Sequence, residues 1–125
     1  MTLVEFLLAR IAEDEQTARE AGNRRWLVED NTISLWPENE HDGFMTWPTR
    51  SDARHAVHWQ PERVLAEVEA KRRIVEWHRV ERDDITPWGK PVQICRCGYD
   101  LPCSTLRLLT LPYADHPDYD EAWRP

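Results

Sequence analysis

Three cysteines fall within nine positions of the chain, in the run Ile94-Cys95-Arg96-Cys97-Gly98-Tyr99-Asp100-Leu101-Pro102-Cys103. Thiolates are soft donors, and a glycine directly after the second permits a tight turn whose backbone amides point at sulfur. Three such donors on one turn are a metal-ligand pattern, because a tetrahedral zinc ion takes four nitrogen or sulfur ligands at about 2.0 to 2.3 Å. The fourth is expected to be a histidine, and the chain offers His41, His55, His58, His78 and His116. His78 is preferred: it stands at the end of a long amphipathic segment, and the residues from Arg79 to Ile94 are enough to lead the chain back to it. The competing reading is three reduced thiols, with Cys103 a small apolar residue at a helix start and Cys95 and Cys97 on alternate faces of a strand. A redox pair fits less well, since Cys-x-Cys lacks the strand-to-helix placement of reactive dithiols. An odd cysteine count does not build a disulfide framework either.

Other chemistry-bearing residues are less convergent. His55 and His58 stand at i, i+3, a spacing open to metal or proton-transfer work, but beside Trp59 they read as packing or surface side chains. Asp115, His116, Asp118, Asp120 and Glu121 are too irregularly spaced for a hard-metal site and read as a solvated acidic tail. Lys71, Arg72, Arg73, Arg79 and Arg82 form the densest basic stretch and, with Trp77 among them, the best surface for nucleic acid; Arg72 and Arg79 share one helical face. Glu67, Glu69, Glu76 and Glu81 interrupt it, so ion pairs along the helix are expected rather than a phosphate track. There is no phosphate-binding glycine loop, nucleophile elbow or helix with two metal-binding histidines flanking a glutamate.

Three functions follow. The preferred one is a noncatalytic, zinc-stabilised protein-interaction module in an accessory or regulatory role, since no catalytic constellation accompanies the metal-ligand turn and exposed aromatic residues anchor interfaces. The second is a nucleic-acid-binding regulator using Lys71, Arg72, Arg73 and Arg79. The third is a metal-dependent hydrolase with His55, His58 or His116 beside the metal, which requires an open coordination position.

The elements that must position these residues are legible in the periodicity. With 125 residues, 41% hydrophobic and 31% charged, the chain is expected to be a single domain over 1–125, too apolar for a disordered tail and too interrupted for a membrane span. A net charge of −7 works against nonspecific duplex binding. The opening Met1-Thr2-Leu3-Val4-Glu5-Phe6-Leu7-Leu8 has no basic leader and a broken apolar run, so it reads as no secretory signal and points to the cytoplasm.

Thr2 and Glu5 form a capping box, and Val4, Leu7, Leu8 and Ile11 repeat at helical spacing, predicting a helix over 3–21 that Gly22-Asn23 stops. From Arg25 to Trp36 the alternation predicts a β-hairpin turning at Asp30-Asn31 and ending at Pro37. After a polar loop from Glu38 to Gly43, Phe44 to Trp47 would add a third strand. Ser51-Asp52 would cap a short helix, and Pro61 would open a longer one to about His78. Arg79 to Gly89 reads as a surface loop and Val92 to Ile94 as extended. Leu106 to Leu111 reads as a buried helix capped by Ser104 or Thr105, before an irregular end anchored by Tyr119 and Trp123. The fold class is thus α+β, mainly helical. Seven tryptophans are expected to supply much of the core, each able to bury on the order of 200 Å².

Several strings also carry a resemblance. Pro61-Glu62-Arg63-Val64-Leu65-Ala66-Glu67-Val68-Glu69-Ala70-Lys71-Arg72-Arg73-Ile74, preceded by His55 and His58, occurs with Pro102-Cys103-x-Thr105-Leu106-Arg107 and with Tyr113-Ala114-Asp115-His116-Pro117-x-Tyr119. Together with Val4-Glu5-Phe6-Leu7-x-Ala9-Arg10-Ile11-x-Glu13-Asp14-Glu15, these resemble domain-of-unknown-function family 6221, small uncharacterised proteins of actinobacteria and their phages. The stretch from Trp26 to Arg50 contributes no comparable string. The resemblance implies a cytoplasmic protein of such a host or phage and carries over no activity and no catalytic residue.

Overall fold

The Thr2 amide donates to Glu5 Oε2 at 2.7 Å and the Glu5 amide to Thr2 Oγ1 at 3.1 Å, so the capping box closes as the spacing predicts. It opens helix α1, Leu3–Glu20. The Thr2 amide, with the hydroxyl adding to it, holds the Glu5 carboxyl below its ordinary value of 4.5. Folding therefore favours the ionised form: the cap contributes fully above that ordinary value and fades as pH falls through the lowered one. Thr2→Ala is expected to remove about 1 kcal/mol of stability, read as a lower denaturant midpoint near neutral pH.

The computed structural model describes residues 1–22, 24–36 and 45–125. Asn23, Pro37, the predicted polar loop from Glu38 to Gly43 with His41, and Phe44 lie outside the described residues. After α1 come β1 (Arg25–Glu29), β2 (Thr32–Trp36), β3 (Met45–Thr46), α2 (Arg50–His58), α3 (Pro61–Trp77), β4 (Val80–Ile85), β5 (Pro91–Cys95) and α4 (Ser104–Thr110). Two single 3-10 turns, Leu111–Tyr113 and Glu121–Trp123, follow. This is the mainly helical α+β architecture expected. The chain divides into two compact units, Met1–Glu13 with Glu69–Pro125, and Asp14–Val68.

In Asp14–Val68, β1 and β2 pair antiparallel from Arg25↔Trp36 to Glu29↔Thr32, and β3 adds to β2 through Thr32↔Thr46. The two-residue turn requires a left-handed residue, which Asp30 supplies at φ 52°. Helix α2 begins two residues earlier than a cap at Ser51 would place it. Its cap is Thr49, whose Oγ1 accepts from the Asp52 amide at 3.1 Å and donates to Asp52 Oδ2 at 2.8 Å, so Asp52 serves the cap instead of being it.

In Met1–Glu13 with Glu69–Pro125 the core is aliphatic around one phenylalanine. Leu3, Phe6, Leu7 and Ile11 of α1 are buried, as are Val75, Ile94, Cys95, Cys103 and Leu106. Two expectations are overturned here. None of the seven tryptophans is buried: Trp36, Trp59, Trp77 and Trp88 are exposed, and Trp26, Trp47 and Trp123 only half-buried. Indole is too large to be enclosed fully in so small a chain, whereas leucine and isoleucine fit between two helices. Arg79 to Gly89 is also no loop. Val80–Ile85 forms β4, which pairs antiparallel with β5. All six of its side chains are exposed, so the strand carries no apolar alternation by which a sequence reading could find it.

Candidate metal centre

The β4–β5 hairpin is what closes the distance between His78 and the cysteines. Its register sets Val80 opposite Cys95, and the Arg96 amide donates to the Arg79 carbonyl at 3.0 Å, so the end of β5 arrives two residues from His78. At the far end the Gly89 amide reaches the Thr86 carbonyl at 2.8 Å, and the Lys90 amide reaches Thr86 Oγ1 at 3.0 Å. Beyond Cys95 the chain folds straight back. The Gly98 amide donates to the Cys95 carbonyl, the Cys95 amide to the Tyr99 carbonyl and the Leu101 amide to the Gln93 carbonyl, each at 2.8 Å. That return delivers Cys103 to the start of α4.

Gly98 makes the reversal possible at φ +95°, a conformation L side chains rarely adopt. Open space surrounds the position a Cβ would take, so only backbone strain opposes a substitution. Gly98→Ala is expected to destabilise by about 1–2 kcal/mol in thermal or denaturant unfolding.

Cys103 is the N-cap of α4, in place of the expected Ser104 or Thr105, and makes no side-chain capping bond. Its sulfur is turned elsewhere. Cys103 Sγ and Cys95 Sγ each lie 3.4 Å from the same atom, His78 Nδ1. Cys97 completes the group: the ligand atoms of His78, Cys95, Cys97 and Cys103 all lie within 4.8 Å of one another. Cys95 and Cys103 are buried, Cys97 and His78 half-buried, and all three thiols are free. Among the described residues no other group of histidine, cysteine and carboxylates converges this way.

The cluster could hold a metal ion. With a metal–sulfur distance of about 2.3 Å, a metal–nitrogen distance of about 2.0 Å and a tetrahedral angle, nitrogen and sulfur ligands stand roughly 3.5 Å apart. The two distances at His78 match that spacing. A purely hydrogen-bonded arrangement is poorer, because a neutral imidazole nitrogen has one proton or one lone pair and would have to serve two sulfurs. The Cys97 amide donates to Cys95 Sγ at 3.4 Å, one of the amide-to-sulfur contacts expected of a thiolate turn. Burial pushes the Cys95 thiol up to about 11, while the Tyr99 amide draws the Cys97 thiol down.

A family model described as a family of unknown function, DUF6221, matches residues 1–125. The chain belongs to DUF6221. The match includes the stretch from Trp26 to Arg50, where no family string stood out. No curated protein and no solved structure is significantly similar to this DUF6221 member.

Among the described residues the other candidates form no such group, and several are held in ion pairs. His55 and His58 are exposed on α2, with His58 in contact with Arg63 and edge-on to Trp59. His116 lies against Arg10, whose Nη1 is 2.9 Å from Nδ1 and 2.6 Å from Nε2 of its ring. Of the basic stretch, Arg73 pairs with Glu69 at 2.8 Å and Arg79 with Glu76 at 3.2 Å, while Lys71 donates to the Tyr113 hydroxyl at 3.0 Å. One feature has no signal in the spacing. The Arg96 guanidinium, between two of the cysteines, stacks 3.9 Å from the ring centroid of Trp77, the residue before His78. Among the described residues no helix is long and apolar enough to cross a membrane.

Proposed function

We propose that this is a noncatalytic accessory or regulatory protein, one domain over 1–125, in which His78, Cys95, Cys97 and Cys103 bind a single structural zinc ion. The observation that carries it is the gathering of one imidazole nitrogen and three sulfurs within 4.8 Å. A donor set of three thiolates and one histidine suits zinc, and four protein ligands fill its tetrahedron. That leaves no open position for a reactive water, which favours the structural role over a metal-dependent hydrolase. Reduced thiols used this way belong to a reducing compartment such as the cytoplasm. Exposed Trp36, Trp77 and Trp88 supply aromatic anchors for a protein partner. Elemental analysis of purified protein tests the site: one zinc per chain is expected in the wild type, with a substoichiometric amount in Cys97→Ser. Fully folded wild type that carries no metal ends the proposal.

A second reading, binding of nucleic acid through Lys71, Arg72, Arg73 and Arg79, is favoured by one observation, the exposed Trp77 ring with Arg96 stacked on it beside Arg72 and Arg73. The carboxylates of Glu69 and Glu76 already neutralise part of this face. Affinity for single-stranded DNA that falls steeply with salt and is lost on charge reversal at Arg72 and Arg79 is what this reading requires.

A further inference from the structure

The three thiols of the cluster are unequally covered. Cys95 and Cys103 are 1% and 3% exposed, whereas Cys97 is half-buried on a turn whose neighbouring residues, Arg96, Gly98 and Tyr99, are exposed. A reagent arriving from solvent therefore meets the Cys97 sulfur first. Thiolate is the form that reacts with oxidants, and a zinc site holds its cysteines as thiolates.

A second sulfur is within reach. The ligand atoms lie within 4.8 Å of one another, so closing to the 2.05 Å of a disulfide needs a movement of under about 3 Å. Of the two buried thiols, Cys103 is the freer. The backbone of Cys95 is held on both edges, by the pairing of β5 with Val80 and by the bond from its amide to the Tyr99 carbonyl at 2.8 Å. The Cys103 side chain makes no capping bond to α4.

We propose that Cys97 is a site of oxidation by hydrogen peroxide, resolved by Cys103 as a disulfide that releases the metal. This rests on the structural zinc reading, whose site it regulates. The Cys97 thiolate attacks the peroxide: an S–O bond forms, the O–O bond breaks and hydroxide leaves, so that sulfur is oxidised and peroxide reduced. The Cys103 thiolate then attacks the Cys97 sulfur, an S–S bond forms, the S–O bond breaks and a second hydroxide leaves. Both hydroxides take up protons from solvent. His78 and Cys95 alone are too few to keep an ion that takes four ligands in structural sites. Reduction by a thiol restores the site.

Hydrogen peroxide added to the full chain, its zinc content first measured by elemental analysis, tests this. One zinc per chain is expected to pass to a chromogenic chelator while peptide mapping finds Cys97 joined to Cys103. Dithiothreitol with added zinc should restore the bound ion. Dimedone present during oxidation should label Cys97. Cys97→His keeps four nitrogen or sulfur ligands and is expected to load zinc but lose the release by peroxide. Zinc-loaded wild type that keeps its metal in peroxide, a dimedone adduct on Cys95 or Cys103 instead, a disulfide that leaves Cys97 or Cys103 free, or release from zinc-loaded Cys97→His would each overturn this proposal alone. Wild type found without zinc before peroxide is added would overturn the zinc reading, and this one with it.

Discussion

If the proposed zinc is bound, stripping it with a chelator is expected to unfold the segment from Val80 to Pro102, the largest single effect on this protein. The reason lies in how little else holds that segment. Strand β4 is exposed at every residue, and β5 buries only Ile94 and Cys95. A two-stranded hairpin alone is marginal in water, and the reversal at Arg96 to Tyr99 rests on a few backbone bonds. Zinc at structural sites contributes about 10–16 kcal/mol in small peptides near neutral pH, as much as the whole net stability of a typical domain, about 5–15 kcal/mol. Circular dichroism should show loss of strand signal and a lower melting temperature after chelation, restored by zinc. Hydrogen exchange at the amides of Cys95, Cys97, Gly98 and Leu101 should become fast. Acid acts in the same direction: three thiols and an imidazole must be deprotonated to bind, so falling pH returns protons to the ligands and releases the metal. Identical melts with and without chelator, on protein shown to contain zinc beforehand, would mean that the ion does not hold this segment.

The gathering of the three cysteines was legible because it depends on residue types and on one local constraint, a glycine after Cys97, both written into adjacent positions. The choice of His78 rested on the helical periodicity that leads to it and on the length of the return path. What stayed hidden was how the path is built. Charged Val80–Ile85 has no buried residue, so its strand is set chiefly by pairing with β5, an interaction between distant positions that local alternation does not encode. The same limit explains the cap of α4. Ser104 and Thr105 are better capping residues than cysteine, but Cys103 must stand where its sulfur meets His78, and the helix start follows from that demand. The tryptophans show the converse error. Apolar content says that a side chain gains from burial, not that a small chain has room to enclose it, and Trp88 at 89% exposure stands at the tip of a hairpin.

Replacing Phe6 by alanine is expected to cost about 3–5 kcal/mol, the largest effect of any substitution away from the histidine–cysteine cluster. Phe6 is 0% exposed and stands at the centre of a cluster that ties the C-terminal tail to α1. Its ring lies edge-on to His116 at 5.7 Å and to Tyr119 at 6.0 Å, tilted against Trp123 at 5.0 Å, and 5.2 Å from the guanidinium carbon of Arg10. Alanine would remove the surface on which all four rest. Arg10 would suffer next, since this buried guanidinium, already without a partner for Nε, holds His116 and Glu13 from a position packed on the Phe6 ring. The tail is therefore expected to detach together with the lost volume, so that limited proteolysis cleaves between Tyr113 and Trp123 in the variant and not in the wild type. Phe6→Leu separates the two contributions. Leucine keeps most of the apolar volume, and a conservative core exchange costs less than about 1.5 kcal/mol. The aromatic edge contacts add about 0.5–1.5 kcal/mol per pair beyond burial. If Phe6→Leu unfolds at the same urea concentration as the wild type, packing volume alone sustains the cluster. A midpoint partway to that of Phe6→Ala assigns the difference to ring geometry. A Phe6→Ala variant within 1 kcal/mol of wild type would show that the tail is not anchored on this ring.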